Sequence, residues 1–405
     1  MSFTDKELMY ACRVANSDLH IGFDLLYTSG YKPPIPIGMI LDALQYNDIY
    51  DATSLTELNE NELMIIREWK LVDYHDDNDG IADSGYYGCI IELDKERVIV
   101  ASRGSESPNV FKHRVADWVF ADLMLITSEL TSQMRECAYF AERIAYSDYI
   151  YRYREMGVAG HSLGGNLAQH FTIVSHTYGL SDMITKSVNF DGPGFSEEYL
   201  DVPEHKMGIK LMESKMYNYG WSFIGSLLTY VGITTFIKAN REGKNFITIH
   251  KLDSIIYNVD SVTRGEQGAL EKYIGDLSRR IDRQPDRVGY GVFVLLSTLL
   301  TTGYWLFEYM FDAAGDITSS GYLMIINLLV YLSPFVGDAE SIALALVGLS
   351  QMNRAIGGDS KKIRAISKRL SSALGDINKW PIEYRESISN EVLKSLSAPL
   401  SLGFY

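Results

Sequence analysis

The apolar positions of this chain fall into two regimes. Up to about residue 260 they come in short blocks separated by polar and glycine-rich turns, and beyond that in long runs. The block Met156-Gly-Val-Ala159 is short and apolar, continues through Gly160-His-Ser162, and meets the helix-forming stretch Leu163 to Val174. This order predicts a buried strand, a tight turn at Ser162 and a helix starting near Leu163. Gly85 to Leu93 and Arg97 to Ser102 read as two strands joined at Asp94-Lys-Glu96, and Ser132 to Tyr146 as a long helix. Lys186 to Phe190, Lys215 to Tyr219 and Phe246 to His250 supply three more strands. Upstream, Leu55 to Lys70 reads as a helix with Ser54 as its N-cap and acids in its early turns. Strands alternating with helices predict an α/β domain with a largely parallel sheet. We place it at residues 1–260, with a mainly helical part over about 1–70.

From Arg264 onward the pattern is helical throughout, which defines an all-helical C-terminal domain over 261–405. Val288 to Phe307 and Ile317 to Gly337 carry no charge over 20 and 21 residues, and Ser341 to Asn353 is a shorter apolar run. That length suits a membrane span, and equally the buried helices of a helical domain, since glycines, Asn327 and Pro334 interrupt the runs. Between Ser360 and Lys379, Ile363, Ile366, Leu370, Leu374 and Ile377 share one helical face, flanked by Lys361, Lys362, Arg364, Lys368, Arg369 and Lys379. A basic amphipathic helix fits an anionic membrane surface, a helical partner or chaperone, or a solvated outer face.

Composition narrows the classes. A hydrophobic fraction of 46% over 405 residues is enough for a substantial core. The formal charge of -15 argues against broad nucleic-acid binding, which needs a basic footprint. Cys12, Cys89 and Cys137 are scattered and show neither disulfide nor metal spacing, and no cofactor is expected. Asp76-Asp-Asn-Asp-Gly80 resembles half of a calcium loop, but His75 and Tyr86 stand at the first and twelfth ligand positions, so a solvated acidic turn is the simpler reading. Met1-Ser-Phe-Thr-Asp-Lys-Glu7 has neither a basic start nor an apolar stretch. The expectation is therefore no Sec signal peptide, with a cytoplasmic location or a non-Sec route of export.

The chemistry centres on Gly160-His-Ser-Leu-Gly164, which fits G-x-S-x-G, the turn that presents a nucleophilic serine above a sheet. A serine needs a base at neutral pH. His250 is the best placed, at a strand end downstream of the serine. His161 is expected to point away from the site, and His170 and His176 to serve packing or surface roles. The backbone N–H of Leu163 is one donor for an oxyanion.

The order of motifs resembles class 3 lipases and related bacterial lipase-like proteins. The matching pieces are Val100-Ala-Ser-Arg-Gly-Ser105, Asp117-Trp118, Gly160 to Gly165, Phe190-Asp-Gly-Pro-Gly-Phe195 and Ile249-His250. The resemblance implies an α/β-hydrolase fold and an acyl hydrolase with Ser162 as nucleophile and His250 as base. It also implies Ser105 as the second oxyanion donor and Asp117 as a structural tie for that loop. The family's usual acid position reads Asn218-Tyr-Gly-Trp-Ser222, with no carboxylate. Asp191 is the carboxylate best placed at a strand end, either as the acid or as a residue shaping the Gly-Pro-Gly turn. Asn218 or Ser222 is an uncharged alternative for orienting the histidine. The expectation is a lipase or phospholipase A acting on a lipid or phospholipid substrate. A carboxylesterase of small esters and a catalytically impaired binding module are the alternatives.

Overall fold

The computed structural model describes residues 3–49, 55, 58–77, 84–104, 131–222, 224–242 and 248–283. The chain divides into two compact units, one made of Met1–Lys244 and Thr248–Gln267 and the other of Asn245–Ile247 and Gly268–Tyr405.

The first unit is built on an eight-stranded sheet whose strand order follows the sequence, β1 to β8. Helices α1 (Asp5–Ala15) and α2 (Leu19–Thr28) precede β1 (Ile35–Pro36) and α3 (Ile37–Tyr46). Then come α4 (Glu60–Glu68), β2 (Lys70–Asp76), β3 (Tyr87–Glu92) and β4 (Arg97–Ser102). After α5 (Ser132–Ala145) the chain alternates through β5 (Glu155–His161), α6 (Leu163–Val174) and β6 (Ile184–Phe190). Two helices, α7 (Glu197–Asp201) and α8 (Pro203–Met212), lead into β7 (Met216–Gly220) and β8 (Ile233–Phe236). Strands β1 to β4 pair antiparallel, whereas β4 to β8 pair parallel. This mostly parallel sheet with helices fits an α/β-hydrolase. A short hairpin, β9 (Tyr257–Asn258) with β10 (Ser261–Val262), follows.

Successive side chains of a strand point to opposite faces, and the central strands β3 and β4 are buried on both. Ile99 and Ala101 of β4 join one core with Leu8, Val14 and the other apolar residues of α1 to α3. Val98 and Val100 join a second core with Phe140 of α5 and Leu167 and Phe171 of α6. The sheet is thus the middle of three layers. Cys12, Cys89 and Cys137 are free thiols buried in these cores, and burial pushes each thiol up, the last two to about 12.

Two helical starts follow local chemistry. Thr4 and Glu7 form a reciprocal capping box at the head of α1. The helix expected over Leu55 to Lys70 is shorter. It begins at Glu60, because the Asn59 side chain accepts from the N–H groups of Asn61 and Glu62 while the Glu62 carboxylate accepts from the Asn59 N–H. It ends before Lys70, where β2 starts and pairs with β3. The proposed cap, Ser54, lies outside the described residues. Of the acidic turn, Asp76 closes β2 and Asp77 accepts a hydrogen bond from the Ser84 N–H. Among the described residues no group of side chains has metal-ligand geometry.

Of the second unit the structure describes the helix α9 (Ala269–Asp282). The uncharged runs from Val288 onward and the basic stripe Lys361 to Lys379 lie outside the described residues. Among the described residues no helix is long and apolar enough to cross a membrane.

Candidate active site

The site forms at the C-terminal ends of β5, β6 and β7. Strand β5 ends at His161, Ser162 makes the turn, and α6 starts at Leu163, as the residue pattern predicts. Ser162 has φ 59° and ψ -136°, a region that costs a non-glycine residue about 1–3 kcal/mol. Neighbouring contacts hold it there. Its N–H donates to the Phe190 carbonyl at 3.0 Å, and its own carbonyl accepts from Gly165 N–H at 2.8 Å. The hydroxyl makes no capping bond to the helix. The flanking glycines are a packing necessity. A Cβ on Gly160 would overlap the Gly164 backbone, and one on Gly164 would overlap the Ser102 carbonyl and the Arg103 backbone.

Asp191 follows directly after β6, also at positive φ (54°), a conformation aspartate tolerates better than most residues. Its carboxylate is fully engaged. Oδ1 accepts from the backbone N–H groups of Trp221 at 2.8 Å and Ser222 at 3.0 Å, and Oδ2 accepts from His250 Nδ1–H at 2.7 Å. Asp191 and His250 are both buried, at 1% and 6% exposure. A buried carboxylate needs such donors to offset its lost hydration. The two alternatives for the orienting group separate here. Ser222 Oγ lies 3.3 Å from His250 Nδ1, whereas Asn218 donates to the Val231 carbonyl. The Gly-Pro-Gly turn that follows Asp191 is bonded by Asn189, which accepts from Gly192 N–H, and by Asn166, which donates to the Gly194 carbonyl.

His250 sits in the 3-10 turn Thr248–His250, which replaces the expected strand end over the residues described; 246 and 247 lie outside them. His161 does not point away, as the sequence suggested. Its Nε2–H donates to the His250 carbonyl at 2.8 Å, and the two imidazole rings lie 4.6 Å apart. The reason is that β5 ends beside the turn bearing His250, so the residue before Ser162 faces it. Burial, reinforced by the adjacent His250, holds His161 well below the usual histidine range. Trp221 stacks on His161 with centroids 6.1 Å apart and donates Nε1–H to the Ile249 carbonyl at 2.7 Å.

His170 is a packing residue on α6. It accepts from the Tyr199 hydroxyl at 2.6 Å, donates to the Met134 carbonyl at 2.9 Å, and burial lowers it to about 3. His176 bonds the Ile173 carbonyl one helical turn back. Ser105 and Asp117 lie outside the described residues. The neighbour of Ser105 is informative: a Cβ on Gly104 would lie 3.3 Å from Ser162 Cβ and 2.9 Å from the His161 carbonyl. Gly104 therefore lies directly against the elbow. Arg103 anchors it by donating to Asp18 at 3.0 Å and covering the Tyr87 ring at 4.4 Å.

The arrangement joins a strained serine, a buried histidine whose Nδ1–H is held by a carboxylate, and a helix N-terminus beneath the serine that favours negative charge. A family model described as Mbeg1-like, a lipase-like family, matches residues 65–261. Among solved structures the chain is similar to one titled "Crystal structure of M37 lipase", with 15% identity and a TM-score of 0.30 over 55% of this chain and 69% of that one. No curated protein matches the chain.

Proposed function

We propose that this chain is a serine acyl hydrolase acting on lipid esters, of the lipase or phospholipase A type. The observation that carries the proposal is the buried His250–Asp191 pair beside the elbow of Ser162. In this reading Ser162 Oγ attacks the ester carbonyl while His250 Nε2 takes its proton. Asp191 keeps the other ring proton on Nδ1 and stabilises the imidazolium. The Leu163 N–H and Ser105 receive the oxyanion. Collapse of the intermediate expels the alcohol with the proton from His250, leaving an acyl group on Ser162. Water then repeats the cycle in reverse and releases the fatty acid.

The lipid preference rests on the lipase-like family match and on the apolar runs beyond residue 288. Those runs and the basic stripe would bring the chain to an anionic membrane or to a helical partner. The test is incubation of mixed phospholipid liposomes with the full-length protein and with Ser162→Ala, followed by lipid mass analysis and labelling with a fluorophosphonate. Release of fatty acid and lysolipid by the native protein alone is expected. A native protein that hydrolyses short soluble esters but no liposomal lipid is a carboxylesterase. One that neither labels nor hydrolyses either substrate overturns the enzyme assignment.

A further inference from the structure

His250 lies on a three-residue 3-10 turn, and among the described residues no strand ladder includes it. Two ring N–H groups donate to that turn. Trp221 Nε1–H donates to the Ile249 carbonyl at 2.7 Å, and His161 Nε2–H donates to the next carbonyl, of His250, at 2.8 Å. The donors come from the ends of two different strands, and each adjoins another part of the site. His161 immediately precedes Ser162. Trp221 follows β7 and gives its backbone N–H to Asp191 Oδ1. The three rings also pack together: Trp221 is nearly parallel to His161 at 12°, and it lies 6.4 Å from His250 at 28°.

We infer that His161 and Trp221 are paired positioning residues, which clamp successive carbonyls of the turn carrying His250 and so register base, nucleophile and acid against one another. The inference rests on the serine-hydrolase reading above. Its physical content is geometric. A displacement of about 1 Å between reacting groups can cost on the order of 10²-fold in rate. A three-residue 3-10 turn supplies less of that precision than a paired strand, and supporting hydrogen bonds add it.

A histidine suits this place for a further reason. The carbonyl acceptor requires the proton on Nε2, so His161 serves as a neutral donor. Its burial next to His250 keeps it neutral. When His250 takes the serine proton it then faces no second positive charge 4.6 Å away. A lysine or arginine could donate to the same carbonyl but would oppose that step.

The test uses the full chain with His161→Phe, His161→Gln and Trp221→Phe. Phenylalanine keeps a ring and removes the donor, whereas glutamine carries an N–H near the place of imidazole Nε2. Turnover of a short-chain ester is normalised to the sites titrated by a fluorophosphonate, and the rate constant of that labelling is measured. His161→Phe is expected to lower kcat and the labelling rate about 10–100-fold, with KM within about threefold. His161→Gln should recover most of the loss. Trp221→Phe should also lower kcat, and the double variant should cost less than the product of the two, because both loosen one turn. The low-field proton signal of the His250 Nδ1–H bond supplies a readout independent of turnover. It should broaden or move in His161→Phe and return in His161→Gln. Native rates per titrated site, with an unchanged proton signal in both Phe variants, would overturn the clamp and leave His161 and Trp221 as packing. A native protein that shows the signal yet neither labels nor hydrolyses refutes the hydrolase reading instead, and the signal in the variants still decides the clamp.

Discussion

Replacing Asp191 by asparagine separates the carboxylate's chemical role from its structural one. The Asp191 Oδ1 atom receives two backbone donors, Trp221 N–H and Ser222 N–H, at 2.8 and 3.0 Å. An asparagine must keep its carbonyl oxygen there, since an amide nitrogen facing two N–H groups would leave buried donors unpaired at about 1–3 kcal/mol each. Its NH₂ group is thereby forced toward His250 Nδ1, 2.7 Å from the atom it replaces. A donor at that point requires Nδ1 to be an acceptor, so the histidine proton moves to Nε2. The base then carries a proton where it should accept one. In a serine hydrolase this wrong tautomer lowers turnover about 10⁴-fold, or about 5 kcal/mol in the barrier.

Stability should respond differently. Asp191→Asn retains both backbone bonds and should shift the urea midpoint only slightly. Asp191→Ala loses them and should be destabilised by several kcal/mol, at about 1–3 kcal/mol per orphaned donor. Ester turnover and urea unfolding on the same three proteins decide the matter. Asp191→Asn with turnover within about tenfold of native would refute the acid role. Equal stability of the Asn and Ala variants would refute the structural one.

Other outcomes follow from single features. His170 titrates at about 3 in the fold against about 6.5 when unfolded, so the unfolded chain binds the extra proton between those values and stability falls as pH drops below 6.5; the loss should be about 2 kcal/mol at pH 5, and urea unfolding at pH 8 and 5 should show it shrinking in His170→Gln. Gly164→Ala should destabilise the chain by about 3 kcal/mol or more, since its Cβ meets the backbone of Ser102 and Arg103, which cannot swing aside; normal thermal unfolding of the variant would contradict the tight elbow. The basic stripe Lys361 to Lys379 should give salt-sensitive flotation with anionic but not neutral liposomes, at about 1 kcal/mol per basic residue near the surface. Equal flotation with both lipids would remove the electrostatic part.

Much of this architecture was legible in the residue order because it depends on local pattern. Strand β4 lies at its expected residues, Arg97 to Ser102, and β6 and α5 differ from expectation only at their ends. Strand β2 was hidden because the helical reading ran on to Lys70, its first residue, and its pairing with β3 is a long-range choice. The elbow was legible for a steric reason, since only glycine fits at 160 and 164. The orientation of His161 was not, because G-x-S-x-G leaves that position unspecified and its partner is a carbonyl 89 positions downstream. The clamp by Trp221 was equally invisible, for tryptophan at a strand end reads as core.

The location of the carboxylate brings these threads together. The family pattern seeks an acid after β7, and this chain has Trp221 and Ser222 there. In the folded protein that strand end still serves the histidine, but with backbone N–H groups that bind the carboxylate of Asp191 from the adjacent strand. Strands β6 and β7 are parallel neighbours, paired through Phe190 and Tyr219. Their C-terminal ends therefore approach the same imidazole edge, and an acid on either can reach Nδ1. Ser222 Oγ, 3.3 Å from that nitrogen, marks the second approach. An Asp191→Asn/Ser222→Asp double variant should consequently recover part of the activity lost in Asp191→Asn. Failure to recover any, in a variant that folds, would mean that the backbone cradle around Asp191 matters as much as the charge it holds.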